Sequence, residues 1–166
     1  TQIAKAITSL PEKLKSKISV IQQVRKENYL YVKKLYTNSL SNFKLETYIE
    51  NMAESLNWCH LIICRSGAGT IAENLVAGKP SIMVPLPMSV DNHQMKNASI
   101  IEKIGAGKVI SDIELNDQNK LIHKLQSIIF NTEALYIMSK SAKESAILGT
   151  SAKLVNLGNK IINGKY

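Results

Sequence analysis

The residues of this chain best suited to chemistry crowd into positions 61–97. A glycine-rich turn, Ser66-Gly67-Ala68-Gly69-Thr70, follows the short apolar run Leu61-Ile62-Ile63-Cys64 and precedes Ile71, Leu75 and Val76 at helical spacing. A β-branched run bounded by turn residues reads as a buried strand, and Gly78 with Pro80 beyond it reads as a helix stop. The turn therefore feeds a helix. The first N–H groups of a helix have no internal acceptor and lie at the positive end of its dipole, and small residues let an anion approach them closely. Glu73, one turn in, is an acceptor placed for a sugar diol. A phosphate and a ribose held at one helix start is the chemistry this spacing supports.

Two other readings compete for the same residues. Thr70-x-x-Glu73 has the spacing of a capping box, in which both side chains satisfy orphan helix N–H groups and bind nothing. Gly67-x-Gly69-x-x-Ala72 fits the dinucleotide fingerprint, but that motif needs an acid ending the next strand. Here the next strand ends in Val84-Pro85-Leu86-Pro87, and Asp91 comes several residues too late, so position excludes the dinucleotide. Arg65, beside the turn, could brace the loop or approach a nucleotide. Asp91 and Asn92 read as turn-formers that cap the helix beginning at Gln94, with Pro85 and Pro87 shaping the loop that presents it. Trp58, at helical spacing, reads as core. Cys59, His60 and Cys64 lack the spacing of a zinc site, so no metal is expected and the two thiols read as reduced packing residues. His60 and His123 have no partner in the sequence that suggests chemistry.

These residues need a sheet to position them. Apolar residues at Ile3, Ala4, Ile7 and Leu10 predict an opening helix that closes at Pro11. Strands are predicted at 18–24, 43–48, 61–64, 80–85 and 107–110, alternating with helices at 29–40, 49–58 and 94–104 and with the helix that runs from Ile71 until Gly78. From Asp117 only helices are expected, at 117–130, 132–145 and 151–163. Strands alternating with helices imply a parallel sheet covered on both faces, with ligands at the carboxyl ends of the strands. On this count a strand and its glycine-rich turn are expected before Thr1, because the opening helix has no strand to cross back from. The segment at 38–42 is too short to separate domains, so the chain reads as one domain.

Composition fits that class. The 166 residues are 45% hydrophobic with 5% aromatics, as in ordinary α/β material. No run reaches the roughly 18 apolar residues of a membrane span, and no signal peptide opens the chain, so a cytosolic compartment is expected. A formal charge of +8 invites a nucleic-acid reading, but Arg25 and Arg65 are the only arginines and the lysines are scattered. No basic run is interleaved with aromatics, and nucleic acid is not an expected partner.

Several separated blocks resemble the carboxy-terminal domain of the MurG family, the peptidoglycan N-acetylglucosaminyltransferases that convert lipid I to lipid II. They are Arg65-Ser66-Gly67-Ala68-Gly69-Thr70-Ile71-Ala72-Glu73, Ala77-Gly78-Lys79-Pro80, Val84-Pro85-Leu86-Pro87 and Asp91-Asn92-His93-Gln94-x-x-Asn97-Ala98. Weaker counterparts are Gln22-Gln23, residues 48–53, Gly105-Ala106-Gly107 and Leu148-Gly149. The resemblance implies a Rossmann-like parallel sheet, the carboxy-terminal half of a GT-B glycosyltransferase without its first strand and glycine-rich loop. Residues 1–166 would be a single, partial UDP-GlcNAc-binding domain, with the acceptor domain amino-terminal to it.

The resemblance also implies roles. The uracil edge would meet main chain at Ile49, the diphosphate would face Ala68, Gly69 and Thr70, and the ribose hydroxyls would meet Glu73. Gln94 would contact the GlcNAc ring, with His93 beside it where many members carry Gln; an imidazole replaces an amide at only one atom. Arg65, Ser66, Gly67, Ile71 and Ala72 complete the implied donor site. The implied reaction inverts configuration, builds negative charge on a departing diphosphate and needs no metal or other cofactor. No catalytic residue is assigned in this chain, since the general base, the lipid I site and the membrane contact would belong to the amino-terminal domain. The isolated chain is expected to be inactive, and the whole enzyme to work at the cytoplasmic face of the bacterial inner membrane. The alternatives are a donor-binding subunit that works with a separate acceptor subunit, and an inactive nucleotide-binding remnant.

Overall fold

The structure is a computed structural model that describes residues 1–87 and 92–147. Helices α1 (Gln2–Thr8) and α2 (Glu12–Lys15) lead into strand β1 (Val20–Gln23), helix α3 (Lys26–Thr37) and strand β2 (Phe43–Glu46). Helix α4 (Met52–Trp58), strand β3 (Ile62–Cys64), helix α5 (Ala68–Val76) and strand β4 (Ser81–Met83) carry the turn region. Helix α6 (His93–Lys103), strand β5 (Gly107–Val109) and helices α7 (Asp112–Asn116), α8 (Gln118–Ile129) and α9 (Thr132–Ser145) follow. The helix expected at 151–163, the Leu148-Gly149 block and Asp91 lie outside the described residues.

All strand pairs are parallel, as the β–α alternation requires. The sheet is nevertheless in two parts: β1 pairs with β2, while β3, β4 and β5 form a second sheet in that order. The sheet is thus interrupted between β1 and β3. β4 is central and buried on both faces, with Ile82 and Val84 in one apolar cluster and Met83 in the other, the period of two that a strand imposes. The first cluster joins α1, α3 and α8 through Ile7, Val32, Tyr36, Leu121 and Leu125. The second joins β4 to α6 and α9 through Ala98, Ile101 and Ala142.

Three local expectations change. The opening helix ends at Thr8, and one further turn, α2, starts after Pro11, whose fixed φ suits a helix start. α7 arises where none was expected, opened by a capping box in which Ser111 and Glu114 satisfy each other's backbone N–H groups. Trp58, expected in the core, is 48% exposed at the last position of α4. No residue of α4 is buried, so its helical spacing has no core to face.

Candidate functional site

Backbone conformation places the start of α5 earlier than the sequence suggested. Gly67 is the N-cap, with φ −67° and ψ 144°, and it carries no side chain to cap the helix. Thr70 is then the third helical residue, so Thr70 and Glu73 cannot form a capping box, and that reading falls. Ile71 N–H is the first to bond back, to Gly67 O at 3.0 Å. The N–H groups of Ala68, Gly69 and Thr70 therefore have no helical acceptor. Ala68, Gly69, Ala72 and Glu73 are exposed, and Gly69 and Glu73, four apart, share one face of the helix. A Cβ built on Gly69 would meet nothing within 4 Å, so packing does not require glycine there.

Long-range hydrogen bonds hold the turn. Ser66 is completely buried, and its hydroxyl donates to Gln94 O at 2.7 Å. Asn97 Nδ2 returns a bond to Ser66 O at 3.0 Å. Arg65 Nη1 donates to both Val84 O and Pro85 O at 3.0 Å, tying the turn to the loop after β4. Leu86 N–H donates to Gln94 Oε1 at 3.1 Å, so the proline loop and the first turn of α6 orient each other. The turn after β3, the loop after β4 and the start of α6 thus form one hydrogen-bonded unit at the carboxyl edge of the sheet.

Arg65, Ser66, the turn and Gln94 are brought together in this way. His93 is exposed as the first residue of α6. Asn92 precedes it at the N-cap in the left-handed conformation, φ 55°, which asparagine tolerates, but its side chain makes no cap bond, contrary to expectation. Ile71 is half-buried and packs against the second apolar cluster. Ile49 stands apart: half-buried in the loop before α4, it lines a cleft of about 540 Å³ with Ile21, Tyr48, Glu50 and Trp58.

Supporting residues had weaker signals. Asn74 is buried on α5 and donates to Cys64 Sγ at 3.5 Å. Burial pushes the Cys64 thiol up to about 11, against the opposing Asn74 bond, so it is a neutral packing group at physiological pH. Lys79 Nζ bonds Asn57 O at 3.1 Å and Cys59 O at 2.9 Å, closing the carboxyl end of α4. The Asn in the apolar stripe of α5 was the one visible sign of this packing. Among the described residues, no group of three His, Cys, Asp or Glu side chains could hold a metal, and no helix is long and apolar enough to cross a membrane.

A family model described as the glycosyltransferase family 28 C-terminal domain matches residues 1–153. A Caulobacter vibrioides protein named UDP-N-acetylglucosamine–N-acetylmuramyl-(pentapeptide) pyrophosphoryl-undecaprenol N-acetylglucosamine transferase is 33% identical over 158 residues, which cover 95% of this chain and 44% of that protein. A protein of the same name from Shewanella denitrificans is 36% identical over 142 residues, 84% of this chain and 38% of its own length. Among solved structures, Acinetobacter baumannii MurG superposes with a TM-score of 0.75 at 28% identity, covering 94% of this chain and 46% of that one. The glycosyltransferase VinC, solved with dTDP, shares the fold at a TM-score of 0.66 and 18% identity, over 96% of this chain and 37% of that one. The chain spans less than half the length of the relatives it matches.

Proposed function

Because this chain belongs to the family of glycosyltransferase family 28 C-terminal domains, we propose that it holds UDP-GlcNAc for transfer of GlcNAc to lipid I, giving lipid II. The observation that carries the reading is the start of α5, where three backbone N–H groups have no helical acceptor and a Cβ on Gly69 would meet no atom within 4 Å. Buried Ser66 locks that start to α6, the helix that carries His93 and Gln94. A diphosphate fits the N–H groups of Ala68, Gly69 and Thr70, and Glu73, on the face of Gly69, accepts from the ribose hydroxyls. Gln94 and His93 lie toward the sugar. Ile49 receives the base at the neighbouring strand end. Ser66, Arg65 and Asn97 are positioning residues, because their hydrogen bonds go to the protein's own backbone.

In this reading the helix start is catalytic by electrostatics. Negative charge grows on the diphosphate as the glycosidic bond breaks, and N–H groups fixed in advance stabilise it without reorganising. No metal is needed to neutralise the leaving group. The general base and the acceptor surface lie outside these 166 residues, so the isolated chain binds donor without producing lipid II, and the assembled enzyme acts where lipid I is presented, at the cytoplasmic face of the inner membrane. Calorimetric titration of UDP-GlcNAc into the chain and into Glu73→Ala tests the site. Binding weakened about tenfold by the substitution, with unchanged melting, is expected; equal binding refutes the ribose contact, and lipid II synthesis by the chain alone refutes the division of labour.

A further inference from the structure

Lysines that are spread along the sequence gather on one face of the fold. Val32 and Tyr36 are buried in the first apolar cluster and fix which side of α3 faces inward. At 3.6 residues per turn this directs residues 26, 27, 30, 33, 34 and 37 to solvent, and all six are exposed. Leu30 stands at the middle of this face, 79% exposed, with Lys26 one turn before it and Lys33 and Lys34 one turn after. Tyr31, 46% exposed, flanks it on the side of α1, where Lys5 Nζ lies 6.0 Å from the centre of its ring. Arg25, at the N-cap, adds a fifth cation. Across residues 1–10 and 25–38 the sole acid is Glu27.

Lysines elsewhere on the surface are balanced by acids. Lys15 pairs with Glu12 at 2.9 Å, Lys44 with Glu46 at 2.9 Å, Lys120 with Asp117 at 3.4 Å and Lys124 with Glu114 at 2.7 Å. Among the described residues, no carboxylate stands within 4 Å of the cations of Lys5, Arg25, Lys26, Lys33 or Lys34. The face is therefore a field of one sign around an exposed apolar pair. Nucleic acid, an acidic protein and an anionic bilayer all carry the opposite charge, and the apolar pair decides among them. Nucleic acid takes up the charges but leaves Leu30 in water. A stable protein interface needs about 800 Å² a side with a core poor in lysine, whereas here lysine surrounds Leu30 and Tyr31. A bilayer suits this pattern: lysine stems lie along apolar surface with their ammonium groups at the headgroups, a leucine enters, and tyrosine sits at the interface.

We propose that this face of α3 is a contact for an anionic lipid bilayer, on which the helix lies flat with Leu30 inserted between headgroups and the five cations against their phosphates. The 12 residues of α3 give it a length of about 18 Å along such a surface. The contact is made by this chain's own residues and is additional to the one that the family resemblance implies outside it. It does not depend on which sugar nucleotide the turn at α5 holds. Glu27 is the one charge on the face that opposes it.

Flotation of the 166-residue chain with vesicles of phosphatidylcholine containing about one-third phosphatidylglycerol, at about 0.1 M salt, tests the contact. Binding is expected there, with release at about 0.5 M salt. Each cation at such a surface is worth about fivefold in affinity, so Lys33→Gln combined with Lys34→Gln should weaken binding about 25-fold. Lys103→Gln combined with Lys140→Gln makes the same change in net charge on α6 and α9, which pack on the second cluster, and should change binding less than about twofold. Leu30→Ala should weaken binding about tenfold without lowering the melting temperature, since the side chain is exposed in the fold. Glu27→Gln should strengthen binding about fivefold, a gain that misfolding does not produce. No binding to the anionic vesicles, equal binding to vesicles of phosphatidylcholine alone, equal losses in the two lysine pairs, or no gain from Glu27→Gln overturns the proposal. Chemical-shift changes along α3 on adding poly-glutamate, with no affinity for the vesicles, would assign the face to an acidic protein and overturn it as well.

Discussion

Gly69→Ala separates what the fold asks of the turn from what the ligand asks. Gly69 is the second residue of α5, its φ is not left-handed, and an added Cβ meets no atom within 4 Å. Alanine there costs no clash and restricts the unfolded chain, so the variant gains about 0.5–1 kcal/mol of stability. For a domain of this size that raises the melting temperature by about 1–4 °C. In the proposed site the same methyl group stands on the helix start that receives the diphosphate. A diphosphate held off by it loses a charge-assisted hydrogen bond, about 1.5–3 kcal/mol, which is about ten- to a hundredfold in affinity. Differential scanning calorimetry and isothermal titration with UDP-GlcNAc on one preparation read both effects. Opposite signs, higher melting temperature and weaker binding, are the expected pair, since a site kept open for function is held at some cost in stability. Unchanged affinity would show that no phosphate approaches this turn, and a lower melting temperature would show that the glycine serves the fold.

Ser66→Ala removes a buried hydroxyl bond and leaves Gln94 O short of that donor; a loss of about 1–3 kcal/mol in chemical denaturation is expected, with weaker donor binding because turn and α6 no longer hold each other. Tyr36 is fully buried with its hydroxyl bonded to Gln22, and burial pushes the phenol above its ordinary range, so Tyr36→Phe should cost about 1 kcal/mol by urea denaturation. Burial opposes ionisation of Glu114, but Lys124 at 2.7 Å and the Ser111 N–H and hydroxyl at 2.8 Å outweigh it and hold the carboxyl at about 2. A depressed folded value means that the native state binds fewer protons, so this contribution is complete above about pH 4.5 and is lost as pH falls towards 2. Glu114→Gln should melt lower than the parent at pH 6, by about 1 kcal/mol for a partly exposed pair, and converge with it near pH 2. A constant difference across that range would contradict the ion-pair account.

The parts of the fold legible in the sequence are those with local causes. β3 and α5 were readable because the apolar period changes from a run to helical spacing across a cluster of small residues, and Gly78, at φ 63°, ends α5 as a left-handed glycine should. The start of α5 was misplaced towards Thr70 because threonine advertises a cap and Gly67 has no side chain to do so. α7 was overlooked although Ser111-x-x-Glu114 spells a capping box; its single turn lacks the apolar period that draws attention to longer helices. Trp58 misled because helical spacing gives a direction but not a neighbour, and α4 buries none of its residues.

What the sequence could not express is the coupling that makes a site of these residues. Ser66, Gly69, Glu73 and Gln94 were all legible as candidates, and nothing local distinguishes their roles. The distinction comes from contacts across 28 and 31 positions of sequence, Ser66 to Gln94 and Asn97 to Ser66, which exist only once β3 and β4 pair in register. Those contacts divide the candidates physically. Ser66 and Asn97 are bonded to the protein, so changing them moves the turn and should alter stability and donor binding together. Gly69 and Glu73 face open space on one side of α5, so changing them should alter donor binding without loss of stability. If Glu73→Ala and Ser66→Ala instead gave the same joint loss, the turn would be a packing element, and the exposed helix start would have no ligand to explain it.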